Sequence, residues 1–204
     1  MCSSDLMQME PDVPDAMRHD LRLIQKESTR ACNIIRNLAR FARQQPMVAA
    51  PLRMSEVVMS VVELRQRRLA TQGIELEVAD QAVQYVSAVV TELQQVLLNF
   101  VVNAEQALLQ SGRVPGRITI RTADHGDRVV VEVEDTGPGV PDADAARLFQ
   151  PFFTTKPVGH GTGLGLSVSY GIIDSFGGRI GYRAGSNGGA LFFFDLPAAK
   201  AEAA

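Results

Sequence analysis

The sequence predicts an α+β domain preceded by a long, coiled-coil-like helix, and three observations carry that prediction. None of the first 72 residues is glycine, whereas thirteen of the 17 glycines fall from Gly137 onward, which separates a helical front from a loop-rich back. An apolar seam of heptad spacing runs from Met17 to Ala42. Behind it, short alternating runs that read as strands are interleaved with two longer helical patterns.

The seam comprises Met17, Leu21, Ile24, Ser28, Ala31, Ile35, Leu38 and Ala42, in alternating steps of four and three. Ile34 and Phe41 widen it, and Arg22, Lys26, Arg30, Arg36, Arg40 and Arg43 lie off it. Pro46 and Pro51 close the segment. A helix of roughly 40 Å with such a stripe packs as a coiled coil or bundle, or else lies along this chain's own globular part.

Ser55 is then expected to cap a helix ending near Gln72, with Gly73 as its left-handed stop. Ile74–Val78 and Tyr85–Val89 read as short strands. Thr91 and Gln94 have capping-box spacing for a helix through Gln110 that stops at Gly112. Arg117–Thr122 and Arg128–Glu134 form a predicted hairpin across His125-Gly126-Asp127. Thr136–Thr162 is predicted as mostly loop, Gly163–Phe176 as a helix leaving through Gly177-Gly178, and Arg179–Ala184 with Leu191–Leu196 as a last strand pair. A frayed tail is expected over Ala198–Ala204.

The charge balance is 20 basic against 23 acidic residues, net −3, which disfavours nucleic-acid binding. No apolar run approaches the roughly 20 residues of a membrane span, so no membrane contact is expected within this chain. Cys2 and Cys32 form neither a disulfide framework nor a metal cluster. A cytoplasmic setting is expected, with any membrane anchor of a longer parent protein lying outside this chain.

Four segments bear chemistry. Asn99 and Asn103 stand four apart in Gln95–Ala107 and share one helix face. Bracketed by Val and Leu, they are expected either to meet a polar ligand or metal, amide oxygens being hard ligands, or to bond neighbouring loops. Glu134-Asp135-Thr136-Gly137-Pro138-Gly139 ends a valine strand in an acid and two glycines. That pattern suits a flat ligand whose amine donates to the carboxylate, or a plain turn. Leu148–Lys156 carries three aromatics and a lysine able to pair with phosphate, or packed on the core with Lys156 solvated. Gly159-His160-Gly161-Thr162-Gly163-Leu164-Gly165-Leu166-Ser167 exposes successive amides where a helix begins, an anion-binding geometry that is neither a Walker loop nor a dinucleotide fingerprint.

Taken in order, Asn-x-x-x-Asn-Ala, Asp-x-Gly-x-Gly, Phe-x-Pro-Phe, Gly-x-Gly-x-Gly-Leu and the Gly-Gly-x-x-Phe of Gly188–Phe192 resemble the N, G1, F, G2 and G3 boxes of the catalytic ATP-binding domain of sensor histidine kinases. These kinases share a superfamily with gyrase, Hsp90 and MutL. Residues 50–197 carry the resemblance. Arg30–Arg43 resembles the second helix of the dimerisation and histidine-phosphotransfer hairpin, which places residues 1–46 in part of that hairpin. Thr154-Thr155-Lys156 and the glycine run look most like the subgroup that includes nitrogen-regulatory kinases.

The resemblance implies a two-layer α/β sandwich of the Bergerat ATP-binding type, a mixed sheet against helices with a mobile lid over Val140–Thr162. It implies ATP and Mg²⁺ as cofactors. Asp135 would accept from the adenine amine, and Gly137 and Gly139 would let the purine approach. Asn103 would bind Mg²⁺ with Asn99 in support. Lys156, Gly161, Thr162, Gly163, Leu164 and Gly165 would hold the phosphates. The implied partners are a response regulator receiver domain and a second copy, forming a homodimer through the N-terminal helix of the full-length protein. ATP-hydrolysing relatives carry Glu where this chain has Asn99, and an amide cannot act as a general base at neutral pH. Ala190 replaces the threonine that commonly ends the G3 box, an expected weakening of nucleotide binding. His19-Asp20 lacks the proline of the family's phosphoacceptor box, so no catalytic residue is expected in this chain; His125 is assigned to a hairpin tip and His160 to the lid. The expected function is the ATP-Mg²⁺-binding core of a histidine kinase that cannot phosphorylate itself. The alternatives are a degenerate nucleotide- or partner-binding module and a MutL- or gyrase-like ATPase.

Overall fold

Period-two burial organises the centre of the molecule. In β4 (Gly116–His125) and β5 (Arg128–Asp135), Ile118, Ile120 and Thr122 and then Val129, Val131, Val133 and Asp135 are buried. The residues between them line the other face. The computed structural model describes residues 48–156 and 162–200, together with Met17, Asp20 and Ile24. Those three positions are helical, and the rest of the predicted seam lies outside the described residues. Residues 48–153 and 163–200 belong to one unit, the sheet-and-helix body; Thr154–Lys156, Thr162 and the three helical positions belong to another.

The body holds β1 (Ala50–Arg53), α1 (Met54–Thr71), β2 (Ile74–Asp80), β3 (Tyr85–Ala88) and α2 (Val90–Ser111), followed by the β4–β5 hairpin. After it come the four-residue α3 (Asp142–Ala145), α4 (Gly165–Ser175), β6 (Arg179–Ala184) and β7 (Ala190–Ala199). The strand order is β1-β3-β7-β5-β4-β2, with β6 also on β7. Only β2 and β4 run parallel among the described pairs. This is the expected two-layer α+β sandwich, with α1, α2 and α4 forming the helical layer.

The core lies between those layers. Leu93, Val96, Leu97, Phe100, Val101 and Leu108 form the buried stripe of α2. Phe100 meets Phe192 and Phe194 of β7 at ring-centroid distances of 5.4 and 6.1 Å. Glu105, also buried on α2, is paired by Arg65 and by Arg68 at 3.1 Å, both from α1. Removing one partner of such a buried pair is strongly destabilising.

The opposite sheet face is polar and ion-paired. Arg117 lies 3.2 Å from both Glu75 and Glu77, Arg121 2.7 Å from Glu134, and Arg183 2.5 Å from Glu132.

Several local expectations change. The helix predicted from Ser55 starts at Met54 after an extended Arg53, and the helix predicted from Thr91 starts at Val90 after an extended Val89; neither has a side-chain cap. The missed strand β1 contains Pro51, which removes a ladder donor, and it survives because it is an edge strand. β4 continues three residues past Thr122, to His125, leaving Gly126-Asp127 as the turn. Ala198 and Ala199, expected in a frayed tail, instead pair with Val86 and Tyr85 as the end of β7, and residues 201–204 lie outside the described residues.

Candidate functional site

The last residue of β5 sets the site. Strand alternation turns Asp135 toward the helical layer, where it is 3% exposed. Its Oδ1 accepts the backbone N–H of Gly137 at 2.7 Å and that of Ala190 at 3.3 Å; Oδ2 takes neither bond. Burial raises the pKa of this carboxyl, against the two backbone bonds that lower it.

The glycines around it are crowded by the chain itself. A Cβ on Gly137 would lie 2.7 Å from the Asp135 Oδ1, and one on Gly189 only 1.8 Å from the Asp135 carbonyl oxygen. Gly139, at φ 74°, backs onto the Gly188 carbonyl with equally little room. Absence of side chains at Gly139 and Gly189 therefore serves the closure of two turns on each other, and at Gly137 it leaves room for the Asp135 carboxylate. Arg113 donates to the Gly137 carbonyl at 2.9 Å, and Tyr182 shares hydrogen bonds with the Val140 N–H and carbonyl. These two residues hold the start and end of the glycine turn.

The Asn pair sits in the middle of α2. Asn99 Nδ2 donates to the Gly165 carbonyl at 3.0 Å and to the Ser169 Oγ at 3.1 Å, joining α2 to the first two turns of α4. Both acceptors demand N–H donors, because the Ser169 hydroxyl itself donates to the Gly165 carbonyl. A glutamate at position 99 would place a carboxylate against that carbonyl. Asn103, half-buried one turn on, has a side chain suited to a hard cation. Among the described residues no cluster of three His, Cys, Asp or Glu could hold a metal.

At the start of α4, Leu164 supplies no side-chain cap, and a helix N-terminus is a place that suits an anion. Gly163, at φ 66°, presses against the backbone of Phe152, itself left-handed at φ 65°. The Phe149-Gln150-Pro151-Phe152 segment and the glycine run are thus joined at one point. The Gly165 Cα lies beside Asn99, where a Cβ would sit 3.7 Å from its amide. Gly161 and His160 lie outside the described residues. In the second unit, Lys156 is half-buried, burial lowers its ammonium pKa, and its backbone N–H donates to the Thr154 Oγ1 at 3.2 Å. Thr162 is half-buried too.

Sequence reasoning missed Glu134, Ser186, Tyr182 and Arg113. Each acts through a partner 24 to 52 residues away, which no local motif announces.

Residues 88–200 match the family of histidine kinase-, DNA gyrase B- and HSP90-like ATPases. The chain belongs to that family. As an ATPase-family domain it is 34% identical over 207 residues to the sensor kinase CckA of Brucella abortus (strain 2308), covering 96% of this chain and 22% of CckA. Its fold matches the catalytic domain of histidine kinase ThkA with a TM-score of 0.67 and 34% identity, over 74% of this chain and 97% of that one. ThkA in complex with its response regulator TrrA matches with a TM-score of 0.71 and 26% identity, over 96% of this chain and 56% of that one. The chain spans less than half the length of the curated relatives it matches. No helix among the described residues is long and apolar enough to cross a membrane.

Proposed function

We propose that this chain is the ATP-binding catalytic part of a two-component sensor histidine kinase. It would move the γ-phosphoryl group of ATP to a histidine, from which it passes to a response regulator receiver domain. The observation that carries the reading is Asp135: a buried carboxylate with one oxygen tied by two backbone amides and the other untouched by them. A group of that kind fits an exocyclic amine, and it stands in a family of ATP-using domains.

In this reading residues 50–197 form the catalytic domain and residues 1–46 part of the dimerisation hairpin. Asp135 receives the adenine amine beside the Gly137–Gly139 turn. The amides of Gly163, Leu164 and Gly165, at the entry to α4, face the phosphates. The family resemblance alone assigns Lys156, Gly161 and Thr162 to the same phosphates. The Asn103 amide oxygen fits Mg²⁺ held largely by phosphate oxygens, because no carboxylate cage exists among the described residues. Bound Mg²⁺ neutralises charge on the transferring phosphoryl group. Asn99 orients α4 and takes no proton, which leaves no general base at that position and favours transfer over hydrolysis.

ThkA is seen with a response regulator, and its likeness to this chain supports the same kind of partner here. Homodimerisation through the 17–42 seam and a cytoplasmic location belong to the same proposal.

Calorimetry is expected to show ATP binding by the wild type and at least tenfold weaker binding by Asp135→Asn. A separate helical segment bearing a histidine box is expected to gain labelled phosphate from ATP when mixed with this chain. Label on this chain alone, lost in His19→Ala, would overturn the view that it cannot phosphorylate itself. Steady phosphate release without an acceptor, abolished by Asn99→Ala, would point to an ATPase instead.

A further inference from the structure

Glu134 precedes Asp135, and alternation along β5 turns it to the other sheet face. It is nevertheless 8% exposed. Its Oε1 accepts the Ser186 N–H at 2.7 Å and the Ser186 hydroxyl at 2.6 Å, while Oε2 accepts Arg121 at 2.7 Å. Its pKa is lowered, first by the Ser186 side-chain bond, with burial opposing.

Ser186 belongs to the turn between β6 and β7, and that turn forms one wall of the site. Gly189 lies against the Asp135 carbonyl, the Gly188 and Gly189 carbonyls lie against Gly139, and the Ala190 N–H donates to the Asp135 Oδ1. Two adjacent acids therefore grip the same turn from opposite faces of the sheet.

We propose that Glu134 and Ser186 are positioning residues for base selection: by clamping the β6–β7 turn they fix the Ala190 amide on Oδ1 and so aim the remaining oxygen of Asp135 at an exocyclic amine. This rests on the nucleotide reading above. With the clamp intact, the carboxylate has a single orientation before ligand arrives. With the clamp loosened, Asp135 Oδ1 keeps only the Gly137 bond, the carboxylate is less firmly oriented and the amine contact weakens. Contacts to the rest of the nucleotide remain.

The test compares ATP with purine riboside 5′-triphosphate, which lacks the amine, by calorimetry on the full chain. Glu134→Gln is expected to weaken ATP binding about tenfold, Ser186→Ala about threefold, and Ser186→Thr, which keeps hydroxyl and N–H, hardly at all. Affinity for the amine-free nucleotide is expected to stay unchanged in all three. Equal losses for both nucleotides would mean general disruption of the turn and would overturn the proposal. Wild-type ATP affinity in Glu134→Gln would overturn it as well. A wild type that binds neither nucleotide would overturn the nucleotide reading and this proposal with it.

Discussion

Asp135 carries opposing demands. Its burial penalises the charged form, and its pKa is raised accordingly. A carboxyl whose folded pKa exceeds its unfolded value destabilises the fold wherever it is ionised; the penalty lifts as pH falls through the folded pKa. Asp135→Asn keeps the Oδ1 acceptor for Gly137 and Ala190 without the charge. It is expected to melt higher than wild type at neutral pH, with the difference shrinking toward acid, while binding ATP poorly. Thermal melts across pH would check this, and a variant that melts lower at neutral pH would contradict it. The residue-level motifs were readable because Asp, Asn and Gly are unusual at those places in strands and helices. Glu134 was not, since an acid on the outward phase of a strand is ordinary; only the fold reveals that Ser186 covers it.

Among the elements, the joint between α2 and α4 matters most to the site. It consists of two hydrogen bonds from one amide to the first two turns of α4, at Gly165 and Ser169. Asn99→Asp removes both donors and sets a charge against the Gly165 carbonyl, at a cost of about 1–3 kcal/mol. Faster hydrogen exchange in the first turn of α4, with α1 unaffected, is the expected result. Equal exchange across α4 in both proteins would show that the joint is dispensable. Helix stops were easier to foresee than starts. Gly73 and Gly112 adopt positive φ, which the sequence advertises by residue type. The starts at Met54 and Val90 follow extended residues without side-chain caps, so Ser55 and Thr91 misled by one residue or more. β1 was hidden because four residues containing Pro51 show only Leu52 buried, too little alternation to register.

At the scale of the whole molecule, one aromatic cluster spans both layers. Phe100 of α2 is fully buried against Phe192 and Phe194, and Phe192 in turn meets Tyr182, whose hydroxyl holds Val140. Phe100→Ala is expected to cost about 3–5 kcal/mol, read as a lowered denaturant midpoint. A loss below about 1 kcal/mol would mean that the layers are held elsewhere. The α+β class was plain from periodicity, and so was the β6–β7 pair, but the strand order was not, because β7 joins β5 and β3 through pairings far apart in the chain.

The last strand of the order, β2, has a further consequence. Among the described residues nothing pairs with its outer side, so it presents unused backbone donors and acceptors. Such a margin invites a second chain to add a strand and begin aggregation. Here Glu75, Glu77 and Asp80 punctuate seven residues, with Arg117 leaning over the first two. An incoming strand would have to bring charges matching that sequence of acids or strip them of water. Surface ion pairs of this kind contribute little to folding. Their value lies in solubility: a charged border keeps the sheet from growing beyond its own molecule.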